Sequence, residues 1–231
     1  MLEGGDPGAL ADVRSGRLGV HDEGSQLVAL ALAAAPVEGR DERWLDLCAG
    51  PGGKAALLTG LARDRGAVLI AHERLLHRAV LVRSTLRGYG PPGTVLCGDG
   101  TRASWRPGTF DRVIVDAPCS GLGALRRRPE SRWRRTPDDV TTLVCLQRDL
   151  LGAALDATRP GGAVAYVTCS PHHDETRGVV DAVLAGRDDA VEEDARPLLP
   201  SVTDLGEGPH LQLWPHRHGT DAMFLALLRR R

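Results

Sequence analysis

The sequence predicts an α/β fold: a mostly parallel sheet with helices on both faces and an antiparallel strand toward its C-terminal end. Three observations carry this. Short apolar runs alternate with helical stretches from residue 44 to 185, the pattern of parallel strands joined by crossover helices. The first run passes directly into a Gly-rich turn, Ala49-Gly50-Pro51-Gly52-Gly53-Lys54. The last two strand candidates, 211–214 and 223–228, have no helix between them and should form a hairpin across 215–220, which adds an antiparallel strand near the sheet edge.

Residues 1–25 read as an irregular arm rich in Gly and charge, followed by a short helix from Gln26 to Ala35 that Pro36 ends. This 1–40 segment leads into one module over 41–231. Strands are expected at 44–48, 67–71, 94–97, 112–115 and 163–167, and helices at 55–63, 75–87, 136–158 and 174–184. Gly88 stops the second of these helices. The third has the clearest start: Thr136 can cap, Pro137 fits the first helical position, and Asp138 and Asp139 suit the positive end of the dipole. Pro160-Gly161-Gly162 should turn the chain into the fifth strand. No internal repeat is present.

With 231 residues, 42% hydrophobic and 26% charged, the chain has the bulk of an ordinary soluble protein. No apolar run reaches the roughly 18 residues of a membrane span. Glu3, Asp6 and Asp12 break up the first 20 residues, so these do not read as a signal peptide. Five Cys, an odd number without CxxC spacing, argue against a disulfide framework and a zinc site. A cytoplasmic, metal-free protein is expected. Cys97 and Cys145 read as small buried hydrophobes.

The net charge of −1 does not suggest a nucleic-acid binder, but its distribution does. Arg126, Arg127, Arg128, Arg132, Arg134 and Arg135 crowd one stretch around Trp133, with guanidiniums for phosphates and an aromatic face for a base. Of 29 basic residues only Lys54 is a lysine, which singles it out for work that the planar fork of Arg cannot do.

The chemistry-bearing residues fall at the expected C-terminal ends of strands, where open α/β sheets bind ligands. Gly50, Gly52 and Gly53 allow close backbone approach, and the following helix offers free N–H groups. Glu73 lies just past the second strand, where an acid commonly accepts bonds from ribose hydroxyls. Asp99 follows the third strand and Asp116 ends the fourth. This set suits an adenosine ligand without phosphates, which points to S-adenosylmethionine. Cys119 and Cys169 follow the fourth and fifth strands and would face one crevice. A thiolate that adds to carbon 6 of cytosine gives carbon 5 the nucleophilicity to take a methyl group. Spacing does not tell which thiol attacks.

Asp46-Leu47-Cys48-Ala49-Gly50-Pro51-Gly52-Gly53-Lys54, Asp116-Ala117-Pro118-Cys119-Ser120-Gly121 and Thr168-Cys169-Ser170 closely resemble the signature motifs of the Nol/Nop/Sun family of RNA cytosine-5 methyltransferases, most of all its bacterial RsmB (Sun/Fmu) branch, which acts on 16S ribosomal RNA. The resemblance runs from about Val20 to the end. It includes Val20 to Gln26, although a Gln is usual where His21 stands, and Gly219 to Phe224. It implies a Rossmann-like S-adenosylmethionine-dependent methyltransferase fold. It implies Cys169 as the nucleophile and Cys119 as the group assisting release. Cys48, Ala49, Gly50, Pro51, Gly52, Gly53, Lys54, Glu73, Asp99 and Asp116 would line the cofactor site, and Asp116 could also touch the target base. The family has a basic stretch where the Arg cluster stands. The substrate is then single-stranded or locally opened RNA, since the base must be unstacked to reach a buried thiol. Transfer RNA as the substrate, or a cofactor-binding RNA assembly module impaired in catalysis, are the alternatives. Members of this branch usually carry a helical RNA-binding domain ahead of the catalytic one. This chain begins almost at the catalytic module, so it is expected to be a fragment or to rely on a partner for RNA affinity.

Overall fold

The computed structural model describes residues 6–15, 18–89, 95–102 and 104–231. Thr94, the expected start of the third strand, lies outside these residues, as do 1–5 and 16–17 of the arm. Two short elements open the chain: a 3-10 turn at Pro7–Ala9 and α1 (Ala11–Arg14). Then α2 (Glu23–Ala34) starts three residues earlier than expected, because the Asp22 side chain accepts the Gly24 N–H at 3.0 Å and caps it.

The alternation follows as read. The elements are β1 (Arg43–Asp46), α3 (Gly53–Asp64), β2 (Val68–Glu73), α4 (Leu76–Leu86), β3 (Val95–Cys97) and β4 (Phe110–Asp116). After the Cys119 loop, α5 (Ser131–Arg134) carries Trp133, and α6 (Pro137–Ala157) begins with a full capping box between Thr136 and Asp139. Next come β5 (Thr158–Thr168), α7 (Arg177–Ala185), β6 (Ala190–Glu193), β7 (Leu211–Gln212), α8 (Pro215–His218) and β8 (Phe224–Arg230).

The described residues form an eight-stranded sheet ordered β3-β2-β1-β4-β5-β8-β6, with β7 also on β8. The first five strands are parallel, and β8 is antiparallel to both β5 and β6. The expected hairpin exists as the β7–β8 pair, and β8 lies near the edge of the sheet, as expected, without forming the edge itself. The reason is β6, a half-buried strand with two Glu that periodicity does not reveal. Pro160-Gly161-Gly162 is no separate turn: β5 starts at Thr158 and absorbs it where its register with β4 shifts. One core packs α2, α3 and α4 on one face of the sheet, and a second packs α6 and α7 on the other. No helix among the described residues is long and apolar enough to cross a membrane.

The N-terminal rim of the sheet is closed by buried ion pairs. Asp111, fully buried, accepts from Arg40 Nε (3.0 Å), Arg159 Nε (2.5 Å) and the backbone of Glu42 and Arg43 (both 2.7 Å). Arg112 binds Asp41 and donates to Leu32 O (2.7 Å) and Ala35 O (2.6 Å), carbonyls at the C-terminal end of α2.

Cysteine placement corrects one expectation. Cys97 and Cys145 are exposed, not core. The buried stripe of α6 runs through Val144, Gln147, Leu151 and Ala154, and Cys145 falls one residue off it. Cys97 lies on the edge strand β3, where Val95 is the most covered residue.

Candidate active site

Strand order reverses between β1 and β4, and the crevice beyond their carboxyl ends is where ligands bind in such sheets. The loop after β1, Asp116 at the end of β4, Cys119 just beyond it and Cys169 just past β5 all converge there. Cys119 Sγ and Cys169 Sγ lie 3.4 Å apart. Lys54, buried in the first turn of α3, donates to Asp116 Oδ2 at 2.8 Å and to Ser25 Oγ of α2 at 3.0 Å. All four residues expected to carry chemistry therefore meet in one place.

The two thiols are not equivalent. The hydrogen bond between them pushes Cys119 well up, with burial and the Glu175 charge adding to it. The same bond pulls Cys169 down against burial, and Lys54 helps. The balance of burial and charge therefore favours a thiolate at Cys169 over one at Cys119. Lys54 keeps its proton: burial opposes this, but Asp116 outweighs it. Cys48 is driven well up by burial.

The β1 loop fits a nucleoside-bearing ligand. Glu73 is buried and accepts Gly50 N at 3.1 Å and Leu75 N at 2.9 Å. A Cβ on Gly50 would stand 2.2 Å from Glu73 Oε2, so only Gly allows this approach. Gly52 adopts φ 118° at the start of α3, again a glycine position. Gly98 N donates to Glu73 O at 3.2 Å, which brings the exposed Asp99 beside it; Asp99 Oδ1 holds Thr101 N and Oγ1. Deeper in, Asp46 Oδ1 accepts Cys48 N at 3.3 Å, while Oδ2 is buried with no partner among the described residues. Burial, then the Asp116 charge, push Asp46 up to about 7.

The basic stretch divides. Arg126 binds Asp22, Asp221 and Gly219 O, and Arg127 binds Asp221. Arg135 Nε donates to Ser120 O at 3.2 Å. These three guanidiniums tie the Cys119 loop to its surroundings. The Arg128 and Arg134 side chains make no hydrogen bond or ion pair among the described residues. Arg132 stacks on Trp133 at 5.4 Å, and that indole is 78% exposed.

Sequence reasoning missed several groups. Ser25, Asp22 and Asp221 serve as partners of Lys54 and the arginines. The His21 ring lies where a Cβ on Gly53 would meet it at 3.1 Å, and burial followed by Lys54 lowers it to about 4, so its ring is neutral. Glu175, fully buried, receives Ser120 and Ser170. The repeated Cys-Ser dipeptide, Cys119-Ser120 and Cys169-Ser170, was the available signal for it.

A family model described as 16S rRNA methyltransferase RsmB/F matches residues 31–229. Putative methyltransferase Rv1407 of Mycobacterium tuberculosis is 60% identical over 230 residues, covering 99% of this chain and 50% of that protein. Ribosomal RNA small subunit methyltransferase B of Sodalis glossinidius is 37% identical over 221 residues, covering 95% and 48%. The chain thus spans about half the length of the curated relatives it matches. Among solved structures, PH0851 superposes with a TM-score of 0.85 at 26% identity, covering 98% of this chain and 50% of that one. NSun6 from Pyrococcus horikoshii, solved with SFG, gives 0.80 at 24%, covering 98% and 56%. The fold is that of S-adenosylmethionine-dependent methyltransferases, and S-adenosylmethionine is the cofactor of the family. With its motifs at the strand ends and its family match across most of its length, the chain belongs to the RsmB/F family of 16S rRNA methyltransferases.

Proposed function

We propose that this chain methylates carbon 5 of a cytosine in RNA, with 16S ribosomal RNA as the substrate, through a covalent adduct of Cys169. The thiol pair, 3.4 Å apart beside the Lys54–Asp116 ion pair, carries the reading. Cys169 sulfur forms a bond to carbon 6, and the displaced electron pair makes carbon 5 nucleophilic. Bound S-adenosylmethionine supplies an electrophilic methyl group for that carbon. The loop from Cys48 to Lys54, with Glu73, Asp99 and Asp116, would hold it. When carbon 5 gives up its proton to a base, the electron pair restores the double bond and sulfur leaves. Cys119, whose thiol is pushed well up and lies 3.4 Å from Cys169, is placed to stabilise the departing thiolate. Lys54 holds a fixed positive charge beside the nucleophile. Trp133 and the unpaired Arg128 and Arg134 supply a stacking face and phosphate contacts for a single-stranded segment.

The test separates the two cysteines. Cys119→Ala, incubated with RNA and S-adenosylmethionine, should accumulate a protein–RNA adduct on denaturing gels, because addition proceeds and release stalls. Cys169→Ala should form none and transfer no methyl group; transfer by this variant would overturn the assignment. Bisulfite mapping of ribosomal and transfer RNA from a deletion strain then decides which RNA is methylated.

A further inference from the structure

Glu175 is a buried carboxylate without a cation partner among the described residues. It sits in the 3-10 turn His173–Glu175 ahead of α7 and is 0% exposed. A charge in that position is costly unless every lone pair is used, and here they are. Oε1 accepts Ser120 N at 2.7 Å and Gln147 Nε2 at 3.2 Å, and Oε2 accepts Ser120 Oγ at 2.5 Å and Ser170 Oγ at 2.6 Å. Gln147 also donates to Pro118 O at 2.8 Å, and Tyr166 Oη donates to Glu175 O at 2.8 Å. Pro118 and Ser120 flank Cys119, and Ser170 follows Cys169. One carboxylate therefore grips the loops of both thiols.

We propose that Glu175 is a positioning residue for the thiol pair: through Ser120 and Ser170 it fixes the sulfur–sulfur approach on which the division of labour between Cys169 and Cys119 depends. The inference rests on the two-cysteine reading above. The network spans 50 residues of sequence between the serines, so neither loop alone could hold the spacing. The Glu175 charge also disfavours a thiolate at Cys119. Cys169 faces a different set, Lys54, Asp116 and Asp221. An amide in place of the carboxylate removes that charge and turns a nitrogen toward two of the four donors, so either Ser120 N and Gln147 must shift or both serine hydroxyls must turn from donating to accepting.

The experiment needs neither RNA nor methyl donor. The full chain is alkylated with iodoacetamide across pH 6 to 10, sites are resolved by peptide mapping, and thermal unfolding is recorded. In the native protein Cys169 should react about tenfold faster than Cys119 near neutral pH, with the lower inflection, since thiolate fraction sets the rate. In Glu175→Gln the preference should fall to less than about threefold and the Cys169 inflection should rise. Ser170→Ala should show the same change in weaker form. If Glu175→Gln folds and keeps the native preference and inflection, the positioning role is wrong. If it does not fold, Ser170→Ala and Ser120→Ala decide, and unchanged profiles in both overturn the proposal. A native preference in a protein that forms no RNA adduct would sink the methylation reading while leaving this inference standing.

Discussion

Asp111 and Asp46 are both fully buried, on neighbouring strands, at opposite rims of one sheet. Asp111 takes four donors, two of them guanidiniums, and their bonds outweigh burial and hold it below the usual carboxylate range. Asp46 takes one backbone N–H, leaves an oxygen bare, and is pushed up to about 7. The same side chain is a rivet at one rim and an unmet demand at the other. The N-terminal rim is completed by the fold itself. The C-terminal rim is left short of partners where a ligand is expected, a pattern that functional sites share.

The largest effect expected from breaking this contrast is at the rivet. Asp111→Asn removes the buried charge that holds the half-exposed Arg40 and the part-buried Arg159 and should cost up to about 3–5 kcal/mol, the usual penalty for breaking a buried pair. Urea unfolding at pH 7 checks it. Asp46→Asn should have the opposite sign at that pH. A carboxyl raised from 3.8 to about 7 favours the fold fully below pH 3.8, and this contribution is lost as pH rises to about 7. The wild type should therefore lose stability across that window, by at most about 4 kcal/mol, and the Asn variant should not. A flat difference between the two from pH 4 to 8 would show that Asp46 is already ionised in the native state.

His21 sharpens the comparison within the active rim, because its sign is reversed. Its value is lowered from 6.5 to about 4, so the neutral ring favours the fold above pH 6.5 and this is lost as pH falls toward 4. The ring is partly exposed, so about 1–2 kcal/mol is expected after solvent screening. His21→Gln should remove that loss on acidification. Fluorescence-monitored unfolding at pH 4.5 and 7 reads the difference.

The sequence reading was strongest where one residue type has few uses. A lone Lys among arginines, a Gly run after a strand and two strand-end Cys led straight to Lys54, Gly50 and the thiol pair. It was weakest where a role exists only through contact. Glu175 looks like any acid before a helix until Ser120, 55 residues away, lands on it. The strand β6 carries two Glu in a four-residue run, and only its pairing with β8 makes it a strand. Cys145 failed for a narrower reason: a helix turns 100° per residue, and one position separates core from solvent.

The Arg stretch allows the smallest and cleanest test, since adjacent residues of one type divide between the two behaviours of the rims. Arg127, itself half exposed, is held by Asp221, whose side chain is 1% exposed and whose burial is outweighed by the Arg127 and Arg126 bonds. Arg127→Gln should cost about 1–3 kcal/mol of stability, for a buried carboxylate left short of a charged donor. Arg134 has no such partner. Arg134→Gln should leave stability within about 0.5 kcal/mol and act only on RNA, lowering the slope of log affinity against log salt by about 0.7, as for one phosphate contact on a single strand. Thermal unfolding and a salt titration of RNA binding separate the two. If Arg134→Gln leaves the salt slope unchanged while Arg127→Gln lowers it, the internal ion pair opens on binding, and the tied arginines are the ones that meet RNA.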